Sequence, residues 1–166
     1  MEGKIEVYKS NEILLVFGQN IKVFRERKNM GIRQLAEKCA YDRECISKME
    51  RGEQNIKFMT AVKLARALDV SFAALFARNC VCELEESRFS TFQEDDYLRV
   101  FIENFERRLK AKGYLQLRTY ALTGVSETVV SRIVRRKNIN PTIKTLAAMA
   151  YAVQADMSDL LKRNEF

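Results

Sequence analysis

The chain has 166 residues, of which 47% are apolar and none is histidine, and its formal charge is +7. The apolar runs at residues 13–17 and 146–153 are far shorter than the roughly 20 residues of a membrane helix, so a cytoplasmic protein with no membrane partner is predicted. Without histidine, a glycine-rich phosphate loop or a nucleophile motif, the sequence offers no basis for an enzyme.

The first half of the chain has the pattern of a small helical unit. One proline and six glycines leave few turn signals for hairpins, and apolar residues recur at spacings of three and four, so the predicted fold class is all-α. Five helices are predicted here, at residues 12–28, from Ile32, after a cap at Asp42, at 58–68, and from a cap at Ser71 to Phe76. Residues 4–9 fit either a short strand or an irregular tail.

The second half repeats this order. Its five helices are predicted from a cap at Asp95 or Asp96 to Lys112, from Gln116, from a cap at Ser126, from Pro141 and Thr142, and from Asp156 to Leu161. Gly113 follows the first of them, where a left-handed residue often ends a helix. The two halves each carry a charge of +5, whereas the connector at residues 79–94 carries −3. Two basic units suit a polyanionic partner.

The two halves can be aligned on each other with an offset of 84 residues. The segments LAEKCAYDRECISKMERGE (35–53) and TYALTGVSETVVSRIVRRK (119–137) each predict a short helix, a tight turn and a second helix. Both resemble the helix-turn-helix of the XRE, or lambda-repressor-like, family. The resemblance implies two tandem DNA-binding domains of about five helices each, at residues 1–78 with an N-terminal extension and 95–166, joined by a partly apolar linker at 79–94.

The second short helix of the first half has a polar side that can enter a major groove, while Ile46 and Met49 face inward. The resemblance places Arg43, Glu44 and Lys48 at base-reading positions. Phosphate contacts are predicted from the following loop. Ile32 stands where the family commonly has a glutamine that contacts the DNA backbone, and neighbouring Arg33 is predicted to supply that contact instead. The predicted DNA-binding residues of this half are Arg33, Arg43, Glu44, Ser47, Lys48, Arg51, Gln54 and Asn55.

The second half predicts a different DNA-reading surface, with Val130 and Ile133 packed inward. A basic run at residues 135–137 should hold phosphate more strongly than its counterpart in the first half. Gln116 stands where the family has its backbone-contacting glutamine. The predicted DNA-binding residues of this half are Gln116, Glu127, Thr128, Ser131, Arg132, Arg135, Arg136 and Lys137.

Differences between the halves predict that the second is altered. The family often pairs an arginine on its first helix with a glutamate on its third, here Arg25 and Glu50, and the second half has the apolar pair Leu109 and Val134 instead. Thr119 and Tyr120 replace Leu35 and Ala36, and one extra residue near Ile139 shifts the later alignment. The second unit could therefore mediate assembly or hold a partner rather than read bases.

The four cysteines are expected to be reduced in the cytoplasm and not to form a disulfide framework. Cys80 and Cys82 are separated by one residue, whereas structural zinc sites favour two to four, so buried thiols are favoured over a metal site there and at Cys39 and Cys45. No metal and no cofactor are predicted. Nothing in the sequence indicates a small-molecule ligand.

These features predict a sequence-specific transcriptional regulator that binds double-stranded DNA and represses by occupying an operator. Two assemblies remain open: a single chain whose two modules read an asymmetric site, and a homodimer that presents four modules. The alternative function is a protein-binding adaptor, of the antitoxin or anti-repressor type, built on a helix-turn-helix scaffold.

Overall fold

A computed structural model describes residues 8–78 and 91–163, and within them all regular secondary structure is helical apart from one isolated β-bridge. The first half contains α1 (Glu12–Arg27), α2 (Ile32–Cys39), α3 (Arg43–Glu50), α4 (Phe58–Leu68) and a 3-10 helix (Ala73–Phe76). The second half contains α5 (Tyr97–Lys112), α6 (Leu117–Thr123), α7 (Glu127–Val134), α8 (Ile143–Ala152) and α9 (Met157–Leu160). The predicted helical class and helix order are confirmed for these residues.

The predicted helix caps agree with the structure only in part. The side chains of Asp96, Ser126 and Thr142 accept hydrogen bonds from backbone N–H groups in the first turns of α5, α7 and α8. Asp42 stands at the N-cap of α3, but its side chain makes no capping hydrogen bond. The prediction for Ser71 was wrong, because the element is a 3-10 helix and Phe72 takes its N-cap position.

The predictions for Gly113, for residues 4–9 and for the connector can each be compared with the structure. Gly113 has a φ of +65° and ends α5, as predicted. The short strand considered for residues 4–9 lies mostly outside the described residues, and Tyr8 and Lys9 are not in a strand. Of the connector, residues 79–90 also lie outside, with Cys80 and Cys82 among them.

Both halves contribute to one hydrophobic core. Its largest fully buried side chains are aromatic, and the rings of Phe17 and Phe76 stack at 5.2 Å between centroids. The core runs from one half into the other, because the ring of Phe72 lies 4.8 Å from that of Tyr97 at the start of α5. Packing that joins the halves in this way should make them unfold together.

A buried asparagine on the first helix of each half makes equivalent hydrogen bonds. Nδ2 of Asn20 on α1 donates to the carbonyl oxygens of Leu75 and Ala77, both at 2.9 Å. Nδ2 of Asn104 on α5 donates to those of Leu160 and Lys162, at 2.9 and 2.8 Å. Each asparagine therefore ties the first helix of its half to the last one, at matching positions of the aligned sequences.

The halves also join through a reciprocal pair of backbone hydrogen bonds. Phe58 N donates to Pro141 O at 2.8 Å, and Ile143 N donates to Ile56 O at 2.7 Å, around the antiparallel bridge between Lys57 and Thr142. In the aligned sequences Lys57 corresponds to Thr142, and both are N-caps of the fourth helix. Equivalent segments thus contact each other as two-fold related strands would.

The described end of the connector packs on the first half. Phe92 N donates to Asp69 Oδ1 at 3.1 Å, and the Phe92 ring lies 5.3 Å from the Arg66 guanidinium. Glu94 forms an ion pair with Arg66 at 2.6 Å. This arrangement agrees with the apolar character predicted for the connector.

α6 is anchored by one fully buried side chain, Thr119, whose Oγ1 has no hydrogen-bond partner among the described residues. A buried hydroxyl without a partner costs free energy. We therefore expect Thr119→Val, which keeps the shape and removes the hydroxyl, to stabilise the protein by about 1 kcal/mol and to raise Tm by about 2–4 °C. Thermal unfolding followed by circular dichroism measures the shift.

The matched control for Thr119 is Thr123, whose Oγ1 donates to the Thr119 carbonyl oxygen at 2.6 Å. Thr123→Val removes a made hydrogen bond, so we expect it to lower Tm. A lower Tm for both variants would contradict the assignment of Thr119 as an unsatisfied group.

Candidate nucleic-acid interface

The first helix-turn-helix consists of α2, a tight turn and α3. Ala40 ends α2 in the left-handed region with a φ of +53°, and Tyr41 N donates to Ala36 O at 3.0 Å. Ile46 and Met49 of α3 are buried against the core. This packing leaves the polar side of α3 exposed, as the sequence pattern predicted.

The side chains of α3 form a short row of paired charges. Lys48 Nζ lies 3.0 Å from Glu44 Oε1, and this hydrogen bond lowers the pKa of Glu44 and raises that of Lys48. Ser47 is half-buried beside them. Arg43 is exposed and forms no hydrogen bond or ion pair within residues 8–78 and 91–163, so its guanidinium is the donor most available to a base edge.

Arg51 follows α3 and is bound to the loop of its own half. It donates to both carboxylate oxygens of Glu53 at 2.9 Å, and this hydrogen bond raises the pKa of Arg51 and lowers that of Glu53. Arg51 also donates to Ser47 Oγ at 2.5 Å. A phosphate would have to compete with Glu53 for this guanidinium. No role was predicted for Glu53 from the sequence, although an acidic residue two positions after an arginine is a usable signal.

The remaining predicted residues of the first half lie around this row. Arg33 is exposed at the start of α2 and pairs with Glu37 at 3.1 Å. Gln54 is half-buried and Asn55 exposed in the loop before α4. Polar groups therefore lie at the start of α2 and in the loop after α3, the segments from which backbone contacts were predicted.

In the second half, α6 and α7 flank a turn at Gly124, within the segment for which a second helix-turn-helix was predicted. Val130 and Ile133 are buried, as predicted. The opposite side of α7 lines a concave surface that brings together six of the eight predicted residues: Glu127, Thr128, Ser131, Arg132, Arg135 and Lys137. The other two lie elsewhere, since Gln116 is the N-cap of α6 and Arg136 forms an ion pair with Asp96 at 2.9 Å.

The two surfaces differ in how their positive charges are held. Lys137 occupies the position that aligns with Glu53, so the acceptor that binds Arg51 in the first half is replaced by a cation. Arg132, Arg135 and Lys137 form no ion pair within the described residues. The pKa of Asp96 is lowered by the hydrogen bond from Arg136, which neutralises one cation at the edge of the surface. The second surface is therefore the more strongly positive.

The described residues offer neither a metal site nor a membrane-spanning helix. They contain no group of three or more potential ligand side chains able to hold a metal ion. Cys39 is buried, which raises the pKa of its thiol, and Cys45 is half-buried. None of the described helices has both the length and the apolar character needed to cross a bilayer.

Comparison with known proteins finds a family and two relatives that match the first half of the chain. A helix-turn-helix family model matches residues 21–75, which include α2, α3 and α4. Control protein C.BamHI of Bacillus amyloliquefaciens is 37% identical over 62 residues, covering 37% of this chain and 76% of the relative. Control protein C.SmaI of Serratia marcescens is 33% identical over 67 residues, covering 40% of this chain and 80% of the relative.

No solved structure matches the chain at a comparable level. Both relatives are named as control proteins and not as enzymes. The matched segment contains the exposed polar side of α3 described above. The chain belongs to the XRE-type helix-turn-helix family of DNA-binding transcription regulators.

Proposed function

We propose that the protein is a sequence-specific repressor that reads DNA with two helix-turn-helix modules in one chain, α2–α3 and α6–α7. In this proposal the modules extend over residues 1–78 and 95–166, and α3 and α7 enter successive major grooves of double-stranded DNA. Repression follows from occupation of an operator near a promoter. A regulator of this kind works in the cytoplasm and needs neither metal nor cofactor.

The observation that carries the two-module proposal is the reciprocal pair of hydrogen bonds between residues 56–58 and 141–143. A local two-fold axis between two copies would bring equivalent segments together in this way. Such an axis would also relate α3 to α7 as it relates the reading helices of a dimeric helix-turn-helix protein. The matching hydrogen bonds of Asn20 and Asn104 support the same duplication.

The proposed half-sites are unlike, because α3 and α7 present different groups. Arg43 and Lys48 suit guanine O6 and N7, and Glu44 suits cytosine N4. Arg132 would read a different base through the second surface, while Arg135 and Lys137 contact phosphate. One chain would therefore occupy an asymmetric operator.

The test is selection of bound duplexes from a random library at physiological salt, followed by affinity measurement on the selected site. We expect a two-part motif. In the first module, Arg43→Ala with Lys48→Ala should weaken specific binding by about 100-fold or more and erase one part of the motif. In the second module, Arg132→Ala with Arg135→Ala should erase the other part and reduce the salt dependence of binding.

The control is Lys22→Ala with Lys110→Ala, which removes the same charge from exposed positions on α1 and α5. It should leave the motif unchanged. A single half-site that is insensitive to the substitutions in α7 would assign DNA reading to the first module alone. The absence of any enriched motif with the unaltered protein would favour the protein-binding adaptor.

A further inference from the structure

Large apolar side chains are exposed along α6 and on residues that flank it. Five large apolar side chains are exposed there, and we call them the α6 patch: Leu115 (74% exposed), Leu117 (49%), Tyr120 (55%), Leu122 (41%) and Val129 (37%). They expose on the order of 400 Å² of apolar surface, which is as large as the patches that mark interaction sites on monomeric proteins.

In the first half the equivalent helix, α2, exposes polar side chains. Arg33 and Lys38 stand at the positions of Leu117 and Leu122, and the exposed residues of α2 are all polar. Ala36, at the position of Tyr120, is buried. Because both helices belong to the same local motif, the apolar outer side of α6 is not a requirement of the fold.

The inner side of α6 buries few side chains. α2 buries Leu35, Ala36 and Cys39, whereas the only fully buried residue of α6 is Thr119, whose hydroxyl has no partner within the described residues. α6 thus contributes little to its own core and directs most of its apolar surface outward. A second surface packed on the α6 patch would supply the missing burial.

We propose that the α6 patch is a self-association surface, on which a second copy of the chain docks through its own α6 patch. The charge pattern favours this partner. Both halves of the chain are basic, so most approaches of two copies are repulsive, but residues 115–126 contain a single charged residue, Arg118. Its guanidinium lies 3.8 Å from the Tyr114 ring centroid and donates to Ala152 O at 3.0 Å.

The area of the patch also fits a two-fold contact between copies. Homodimer interfaces are about 65% apolar, so roughly 400 Å² of apolar surface corresponds to about 600 Å² per partner. The total of about 1,200 Å² is at the lower end for specific interfaces, which predicts a reversible dimer. A DNA duplex fits the patch poorly, because it presents a dense row of phosphates and, of the five patch side chains, only Tyr120 has a group that can donate to them.

Association through the α6 patch would leave most of the second DNA-facing surface open. Thr128 and Ser131, which line that surface, project about 100° and about 160° away from Val129 around α7, whereas Arg132 follows Val129 by about one turn and borders the patch. A dimer would therefore place two second halves at its centre and the two first halves outside.

The test is the molar mass of the full chain, measured by light scattering and sedimentation from about 1 to about 100 μM. We expect the mass to rise toward twice 19.3 kDa with concentration. Leu117→Arg with Leu122→Lys, which installs the residues of the first half, should weaken association by at least about tenfold. Tyr120→Ala, a simple truncation, should weaken it in the same direction.

The matched control is Met59→Lys with Ile139→Arg, which adds the same charge at apolar residues that are 55% and 63% exposed outside the patch. It should associate like the unaltered chain, and circular dichroism should show equal helix content in all variants. A mass of one chain over the whole range, or a dimer that survives both patch variants, would overturn the proposal. So would a control that dissociates as readily as the patch variants. None of these outcomes depends on DNA binding.

Discussion

Replacement of Arg25 by leucine should destabilise the protein by about 3–5 kcal/mol, because it leaves the Glu50 carboxylate buried without its partner. Arg25 Nε donates to Glu50 Oε1 at 2.6 Å, Nη2 donates to Oε2 at 3.1 Å, and Nη1 donates to Met30 O at 2.8 Å. The two side chains are only 9% and 7% exposed. Urea unfolding followed by circular dichroism measures the loss as a lower midpoint.

The second half supplies the matched control, because Leu109 and Val134 occupy the equivalent positions. Arg25→Leu combined with Glu50→Val removes both charges, and we expect it to recover most of the loss, to within about 1–2 kcal/mol of the unaltered protein. The remaining cost is the Met30 carbonyl, which loses its donor. A double variant as unstable as Arg25→Leu alone would contradict this account.

Much of the fold could be predicted because it follows from local patterns. Apolar spacing predicted the bounds of α4, and the resemblance to the helix-turn-helix family predicted the contact between Arg25 and Glu50. The cap predictions succeeded where a side chain of the right length met a free N–H group, as at Ser126. At Asp42 the residue type was suitable, but the side chain makes no capping bond.

What could not be predicted depends on how distant segments meet. The pairing of Lys57 with Thr142 leaves no local signal, since neither residue is in a strand pattern. The exposed side of α6 was also unpredictable, because apolar residues occupy most positions from 115 to 122 and no helical period separates an inner from an outer face. The partners of Arg51 and Arg136 depend on side-chain conformations that the sequence does not specify.

The close approach of α1 to α3 was likewise not predicted from the sequence, and it depends on Gly18. A Cβ atom built at Gly18 would lie 2.6 Å from the Glu50 carbonyl oxygen and 2.9 Å from the Glu50 carbonyl carbon, and closer still to the Met49 oxygen. These are backbone atoms and cannot rotate away. The second half has Ile102 at this position, and there α5 and α7 do not pack closely along each other as α1 and α3 do.

We therefore expect Gly18→Ala to destabilise the protein by about 3 kcal/mol, although alanine in a helix interior normally gains about 0.5–1 kcal/mol over glycine. The sign of the change in the free energy of unfolding shows whether the clash of the methyl group or the higher helix propensity of alanine is the larger effect. Urea unfolding measures this change. Gln19→Ala, at the adjacent exposed position of α1, is the control and should change stability by less than about 0.5 kcal/mol. Stabilisation by Gly18→Ala would mean that α3 can move away from α1 at little cost.

The same substitution should affect DNA reading more than stability alone explains, because Met49 and Glu50 belong to the last turn of α3. To accommodate a methyl group, α3 must shift relative to α1, and its exposed side shifts with it. At a temperature where Gly18→Ala remains folded, we expect specific affinity for the selected operator to fall by about tenfold or more. The part of the motif that the proposed function assigns to α7 should persist, since Gly18 contacts the first half alone. Loss of both parts would show that the two halves move as one unit.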